Sequence, residues 1–370
     1  MNKSFWKGKR VLITGHTGFK GSWLALWLKS RGADVSGYSL DPPTTPNLFS
    51  TAGVGRGIAS VIGDVRDLEN LCRVFSRHSP EIVFHMAAQS LVRRSYLDPV
   101  ETFGSNVMGT VNVLEAVRRA DSVRVLVNIT SDKCYENREW PWGYRENDPM
   151  GGRDPYSSSK GCAELVTAAY RQSYFSGGDG RASRVAVATT RAGNVIGGGD
   201  WAMDRLIPDI MRAILEGRPA LIRNPEAVRP WQHVLEPLGG YMVLAERLWE
   251  RGAEFAGGWN FGPGDDESYS VAWIAERLTA LWGDGAGYVL DKDRHPHEAL
   301  CLKLDCSKSR GLLGWSPRLK LPVTLEWIVE WYRAFGDKKD MELVTMDQIS
   351  RYDKTDLVGP SDKRTYAQAL

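Results

Sequence analysis

Tyr156 and Lys160 sit one helical repeat apart in Tyr156-Ser157-Ser158-Ser159-Lys160, a stretch that reads as the start of a helix. Residues i and i+4 share one helical face, so a phenol and an ammonium are brought together. A cation beside a phenol favours the phenolate and lowers its pKa, which makes Tyr156 a candidate base near neutral pH. YxxxK alone is common by chance, and its weight comes from what precedes it. Near the N-terminus, strand-like Val11-Leu12-Ile13-Thr14 runs into Gly15-His16-Thr17-Gly18-Phe19-Lys20-Gly21 and then a helical pattern. In that loop Gly15 permits a tight turn and Gly18 lets the backbone approach a pyrophosphate. Gly21 allows close helix–sheet packing, and the helix N-terminus supplies N–H donors. Gly15, Thr17, Gly18, Phe19 and Gly21 are therefore candidate dinucleotide contacts.

In such a unit the second strand ends in an acid that binds the adenosine ribose. Ser39 occupies that place here, with Asp41 two residues on. Asp41 either reaches the ribose or simply opens the Pro42-Pro43 turn. No arginine follows at once to hold a 2′-phosphate, which favours NAD over NADP. Asp64-Val65, after a third strand, is placed to meet the adenine edge, unless Asp64 only caps the strand end.

Strands predicted near 11–14, 35–40, 61–64, 81–85, 123–129 and 186–191 alternate with helical segments, among them 23–29, 100–120 and 159–175. That alternation predicts a parallel sheet with helices on both faces. After Asn194 the pattern changes: a glycine loop at 197–200, a helix over 207–216 and an extended stretch over 220–230. A largely helical run over 232–251, a strand at 259–261 and helices over 273–282 and 325–335 follow. The expected divisions are a cofactor domain over 1–193 with a return segment near 232–262, a mainly substrate-binding lobe over 194–336, and a polar tail over 337–370, either loose or covering a neighbour.

The chain has 370 residues, 42% of them hydrophobic, enough for a substantial core. With 47 basic against 45 acidic side chains, the net charge of +2 offers no field to recruit nucleic acid or an acidic membrane. Five cysteines, an odd number without CxxC, argue against a disulfide framework or a zinc site. Neither a leader segment nor a membrane-length apolar run is evident, so a cytoplasmic protein is expected. Most tryptophans, including Trp23, Trp27, Trp273 and Trp327, fall at core spacing. Trp201 and Trp231 lie in loops where they could stack on a sugar or a base.

Taken in order, the glycine loop, His85-Met86-Ala87-Ala88, Asn106-Val107-Met108-Gly109-Thr110, Thr130-Ser131-Asp132, Tyr156…Lys160 and Arg191-Ala192-Gly193-Asn194-Val195 resemble the extended short-chain dehydrogenase/reductase superfamily. Its fold is α/β: a Rossmann-like doubly wound parallel sheet with a smaller mixed α/β C-terminal substrate-binding lobe. Ala87, Ala88 and Asn106 join the cofactor contacts that this resemblance implies. Ser131-Asp132-Lys133 is similar to the catalytic triplet of sugar-nucleotide 4,6-dehydratases, with lysine in a third place that is usually glutamate, as in the branch acting on CDP-glucose. The glycine loop through Trp23, Arg229-Pro230-Trp231-Gln232-His233-Val234 and Leu304-Asp305-Cys306-Ser307-Lys308 resemble the same branch.

The resemblance implies a redox-neutral elimination. Tyr156 takes the proton of the sugar 4-hydroxyl as hydride passes from C4 to NAD. Lys133 takes the C5 proton, Asp132 protonates the departing 6-hydroxyl, and hydride returns to C6. Ser131 hydrogen-bonds the C4 oxygen, and Lys160 also serves the nicotinamide ribose. A lysine accepts a proton only as the free amine, so Lys133 is either the C5 base or a cationic stabiliser of the enolate. Asn194, Arg229 and Asn260 stand where relatives bind diphosphate. Arg205 is a further candidate, because a guanidinium donates twice to phosphate. His297, in His295-Pro296-His297-Glu298, resembles a segment near the nucleotide, with no metal expected. Gln89 and Arg94 are expected to line the sugar pocket. The implied partner is CDP-glucose, and the implied assembly is a homodimer, or a dimer of dimers, through helices 100–120 and 159–175. A 4-epimerase or decarboxylase shares the glycine loop, Tyr156 and Lys160 but needs no Asp132–Lys133 pair. A ketoreductase consumes cofactor, and a non-catalytic NAD-binding protein would have a broken catalytic set.

Overall fold

The computed structural model describes residues 2, 4–176, 184–264, 267–291 and 302–355. Seven parallel strands form the main sheet: β1 (Arg10–Thr14), β2 (Asp34–Ser39), β3 (Ala59–Ile62), β4 (Ile82–His85), β5 (Val125–Ile129), β6 (Ala186–Ala192) and, beyond four short strands, β11 (Gly257–Phe261). Their spatial order is β11-β6-β5-β4-β1-β2-β3. Strands β1, β4 and β5 are apolar almost throughout, as burial on both faces requires. The order reverses between β1 and β4. A crevice opens there at the carboxyl ends of the strands, the usual ligand position in open α/β sheets.

Helices cover both faces: α1 (Phe19–Ser30), α2 (Leu48–Thr51), α3 (Leu68–His78), α4 (Val92–Leu97), α5 (Pro99–Phe103), α6 (Gly109–Arg119) and α7 (Pro155–Tyr170) in the first half. Trp23, Trp27 and the apolar residues between them are buried all round α1, which lies between the sheet and later helices. Asp67 caps α3 through Asn70 N–H, and Leu71, Val74 and Phe75 face the sheet. The segment expected as one helix over 100–120 is α5, a wider turn over Gly104–Met108, and α6.

The second half supplies β7 (Val195–Ile196), α8 (Leu206–Leu215), β8 (Ala220–Ile222), β9 (Val228–Pro230), β10 (Gln232–His233), α9 (Leu235–Arg251), β12 (Ser268–Ser270), α10 (Val271–Trp282), β13 (Tyr288–Leu290) and α11 (Leu321–Gly336). Pairs β7–β10, β8–β13 and β9–β12 make three small ladders. The return to the main sheet is α9 followed by β11, which pairs β6 in parallel register, Asn260 opposite Arg191. Among the described residues no helix is long and apolar enough to cross a membrane.

The stretch after Gly336, expected as a polar tail either loose or covering a neighbour, forms a helix packed on its own chain. Met341–Lys354 is helix α12, capped by Asp340 through the N–H groups of Glu342 and Leu343. Met341, Thr345, Gln348, Ile349 and Tyr352 are buried. Polar residues concealed the element because its buried face is narrow and half of its anchors are hydrogen bonds. Tyr352 donates to buried Glu236 of α9 at 2.7 Å, and Glu236 also accepts from the Arg318 and Leu319 N–H groups at 2.8 and 2.7 Å. Burial pushes the Glu236 carboxyl up to about 7, against the pull of those donors. Tyr352→Phe removes one of the three donors and is expected to cost about 1–2 kcal/mol. Thermal unfolding should show a melting point about 1–3 °C lower, with catalytic rate unchanged below it.

Candidate active site

Gly15 has φ +79°, and a Cβ there would meet the Ala87 N atom at 2.7 Å. At Gly21 a Cβ would lie 2.1 Å from the Gly15 carbonyl oxygen. The loops after β1 and β4 thus touch backbone to backbone. Thr14 and His85 tie them together. Thr14 Oγ1 lies 2.7 Å from His85 Nδ1 and accepts the Met86 and Ala87 N–H groups at 3.1 and 3.2 Å. Thr110 Oγ1 donates to the Asn106 carbonyl and lies 3.2 Å from His85 Nε2. The Thr110 hydroxyl proton is therefore committed, so His85 carries its proton on Nε2 and accepts from Thr14 on Nδ1. Burial holds that imidazole neutral, down at about 3.

The loop fits a dinucleotide pyrophosphate. Helix α1 starts beyond Gly18 with no capping side chain and no acid in its first turn, leaving its N–H groups to an anion. Phe19 is half-buried. Around the adenosine side, Ser39 and Thr17 hydroxyls lie 2.8 Å apart, and Thr17 donates to the Leu40 carbonyl at 2.8 Å. Asp41 is exposed at the strand end. The Asp64 carboxylate is held below its usual range by Arg66, which donates to it, and Val65 packs under Gly109. Asn106 accepts from Gln89 N–H and donates to the Gln89 carbonyl and to Ser159 Oγ, fixing the loop after β4 to α7.

Asp154 caps α7 through Ser157 N–H, and Pro155 takes the first helical position. Tyr156 is thereby set in the first turn and Lys160 one turn on, both buried. The turn after β5 brings up the other three residues. Ser131 Oγ donates to Asp132 Oδ1 at 3.0 Å and accepts from Lys133 N–H at 3.2 Å. Lys133 Nζ lies 5.9 Å from the centre of the Tyr156 ring. All five candidate catalytic residues therefore occupy one chamber.

Electrostatics in that chamber depart from the simple YxxxK expectation. Lys160 points to the Ile129 carbonyl at 3.4 Å rather than at the phenol. Burial pushes Tyr156 up to about 12, with the Ser131 hydroxyl and Arg205 pulling the other way. Burial lowers Lys160 to about 8, opposed by nearby acidic groups including Glu164. The Asp132 carboxyl is raised by burial, against Lys133, Ser131 and Arg229. It therefore gives up a proton less readily than an exposed aspartate does.

Lys20, which carried no role as a sequence position beyond the loop pattern, faces this chamber. Burial brings it down to about 7, helped by Lys160 and Arg205 and opposed by Asp132 and Asp200. Its only signal in the sequence was a charged residue between two loop glycines.

The remaining candidates divide. Arg205 bridges Asp200 at 2.9 Å and Ser90 Oγ at 2.8 Å, joining the segment after β7 to the loop after β4 beside Tyr156. Arg229, on β9, acts on Asp132, and Asn194 follows β6 at the same strand end. Asn260 is a correction: it is fully buried, accepts from Tyr135 Oη at 2.8 Å and donates to the Tyr144 and Asp305 carbonyls, leaving nothing for phosphate. Arg94 is exposed and paired to Glu101 at 2.8 Å. The Gln89 side chain is spent on Leu91 and Thr102. Trp201 is buried against Tyr332 and Phe335, and Trp231 is buried with its N–H on the Tyr269 carbonyl. Both are packing residues because the loops that carry them fold onto α11 and β12. His297 lies outside the described residues.

Residues 11–250 match the Epimerase family, described as the NAD dependent epimerase/dehydratase family. A Salmonella typhimurium protein named CDP-glucose 4,6-dehydratase is 56% identical over 352 residues, 95% of this chain and 98% of that protein. The solved structure of MoeE5 in complex with UDP-glucose and NAD superposes with a TM-score of 0.73 at 26% identity, covering 89% of this chain and 99% of that one. A Bacillus anthracis dTDP-glucose 4,6-dehydratase in complex with NAD shares the fold, with a TM-score of 0.72 at 22% identity over 90% of this chain and 100% of that one.

Gly15→Ala sets a Cβ against the Ala87 backbone at a positive φ. It is expected to weaken NAD binding at least tenfold, on the order of 1.4 kcal/mol or more. Quenching of tryptophan fluorescence on NAD titration measures this, and unchanged circular dichroism separates it from unfolding.

Proposed function

The chain belongs to the NAD dependent epimerase/dehydratase family, and on that premise we propose that it converts CDP-D-glucose to CDP-4-dehydro-6-deoxy-D-glucose and water. The observation that carries the reading is Asp132, a buried carboxyl whose pKa burial raises, held by the Ser131 hydroxyl and grouped with Tyr156 and Lys133. An epimerase, which only withdraws and returns hydride at C4, has no use for such an acid. A dehydratase must protonate a leaving hydroxyl. Identity of 56% across nearly the whole of a relative named for CDP-glucose supports the nucleotide.

Bound NAD supplies a two-electron acceptor that takes hydride from sugar C4 and gives it back at C6, so none is consumed. Tyr156 takes the proton of the 4-hydroxyl, whose oxygen Ser131 Oγ holds. Burial opposes a phenolate, so the Ser131 hydroxyl and the Arg205 cation are what ease that transfer. The ketone at C4 then acidifies C5–H. Lys133 takes that proton while Asp132 gives its own to the departing 6-hydroxyl, and water leaves. Lys133 returns its proton to C5 as C6 is reduced. The cycle closes when Tyr156 releases a proton and Asp132 takes one up. Gly15, Thr17, Gly18, Phe19 and Gly21 hold the cofactor pyrophosphate, Asp41 the adenosine ribose, and Asp64 and Val65 the adenine edge. Arg205, Arg229 and Asn194 bind the substrate side.

A second copy of the chain completes the reading. Leu97 and Val100 at the α4–α5 junction are 87% and 82% exposed, and Met108 and Leu165 beside them are also open. Val100, Met108 and Leu165 fall on the segments 100–120 and 159–175 through which a homodimer, or a dimer of dimers, is proposed to pair.

Incubation with NAD and CDP-glucose is expected to remove the mass of one water from the sugar nucleotide, read by mass spectrometry, without accumulation of reduced cofactor. UDP-, GDP- and dTDP-glucose run alongside should react more slowly. If all four return unchanged in mass, the dehydratase assignment fails, and NMR for epimerisation decides what replaces it. Asp132→Asn should lower kcat roughly 10²–10⁴-fold with little change in KM. Because Asp132 works as the acid, wild-type turnover should fall as pH rises past its elevated pKa, and the variant should lose that limb.

A further inference from the structure

Glu164 and Arg191 form a buried ion pair that the reaction scheme does not use. Arg191 Nε and Nη2 donate to the two Glu164 oxygens at 2.9 Å each, and both side chains are about 5% exposed. Buried pairs are poor evidence for stability, since well-packed apolar residues of the same volume often serve as well or better. What this pair touches is more specific. Thr130, the residue before Ser131, donates its hydroxyl to Glu164 Oε1 at 2.5 Å. Thr189 Oγ1 donates to Glu164 Oε2 at 2.7 Å. Arg191 Nη1 donates to Tyr135 Oη at 2.6 Å and to the Glu146 carbonyl at 3.0 Å. Tyr135 closes the far side of the turn and passes its own proton to Asn260.

The pair therefore grips both flanks of the Ser131–Asp132–Lys133 turn, Thr130 through the carboxylate and Tyr135 through the guanidinium. Glu164 also stands one helical repeat beyond Lys160, and two beyond Tyr156, on the same face of α7. We propose that Glu164 and Arg191 are positioning residues that lock the Ser131–Asp132–Lys133 turn to the Tyr156–Lys160 face of α7. Burial pushes Glu164 up, but Arg191 together with the Thr130 and Thr189 hydroxyls more than reverses it, so the carboxylate stays ionised. The same negative charge opposes the loss of the Lys160 proton. A guanidinium fork is needed because one end must hold a carboxylate while the other holds a phenol; an ammonium cannot span both.

This inference rests on the reading that Lys160 serves the cofactor and that the turn performs elimination. Three variants of the full-length protein test it: Glu164→Gln, Arg191→Lys and Tyr135→Phe. Each is assayed for kcat and KM on CDP-glucose, and for the NAD dissociation constant as a function of pH by tryptophan fluorescence. Arg191→Lys and Tyr135→Phe are expected to lower kcat about 10–100-fold with KM and NAD affinity near wild type, because the turn is displaced and not the binding sites. In Glu164→Gln the loss of NAD affinity on the alkaline side should move to lower pH by about one unit, since Lys160 gives up its proton more readily. Tyr135→Phe leaves the ion pair intact, so it remains informative if either charge variant fails to fold.

Variants that lose only folded protein, with wild-type kcat per folded molecule and an unshifted pH profile, overturn the proposal. Wild-type protein that leaves CDP-glucose unchanged overturns the proposed reaction instead. The pH dependence of NAD binding still decides the positioning role in that case.

Discussion

Two parallel N–H···O bonds join Glu164 to Arg191 inside the protein, and chain segments far apart in sequence are organised around them. One partner belongs to α7 and the other to β6, and the intervening β5 ends in the turn that both hold through Thr130 and Tyr135. Leaving either charge unpaired there would be costly, since a buried ion without its partner keeps the full desolvation penalty. The contact therefore fixes how far α7 can slide along the sheet. The position of Tyr156 and Lys160 relative to Ser131, Asp132 and Lys133 follows from that.

Desolvation then sets the character of each group at the strand ends. The Tyr156 phenol and the Asp132 carboxyl are made less ready to lose a proton, while Lys20 and Lys160 are made readier. Burial shifts acids up and bases down, so it brings the Asp132 carboxyl and the two ammonium groups closer together and moves the Tyr156 phenol away from both. Cations outnumber acids around the chamber, which suits a diphosphate-bearing substrate. Arg205, tied to Asp200 after β7 and to Ser90 after β4, carries positive charge across the crevice.

The cofactor side obeys a steric constraint instead. At Gly15 and Gly21 no side chain fits, because the loops after β1 and β4 approach to backbone contact. Neutral His85, trapped between Thr14 and Thr110, keeps that approach rigid without placing a charge beside the dinucleotide. On the opposite flank, α12 seals α1 and α9 through the Tyr352–Glu236 contact, so a polar C-terminal segment is part of the body supporting the glycine loop.

Local pattern alone determined the six first strands, the glycine loop with its helix, and the pairing of Tyr156 with Lys160. Each depends on neighbours within a few residues: alternating apolar runs, glycines where a Cβ cannot fit, and the i, i+4 geometry of a helix. The motif order likewise carried the family resemblance and the triplet at 131–133. Tertiary structure decided the rest. Asn260 reads as a phosphate donor until β11 pairs with β6 and encloses it among Tyr135, Tyr144 and Asp305. Trp201 and Trp231 read as stacking platforms until α11 and β12 cover them. Lys20 gains its place in the chamber only when segments more than a hundred residues apart in the chain come together, and Glu164 its grip on the turn only when α7 packs against the ends of β5 and β6. Burial, charge pairing and the exhaustion of hydrogen-bond capacity are properties of what surrounds a residue, and a linear sequence does not specify those surroundings.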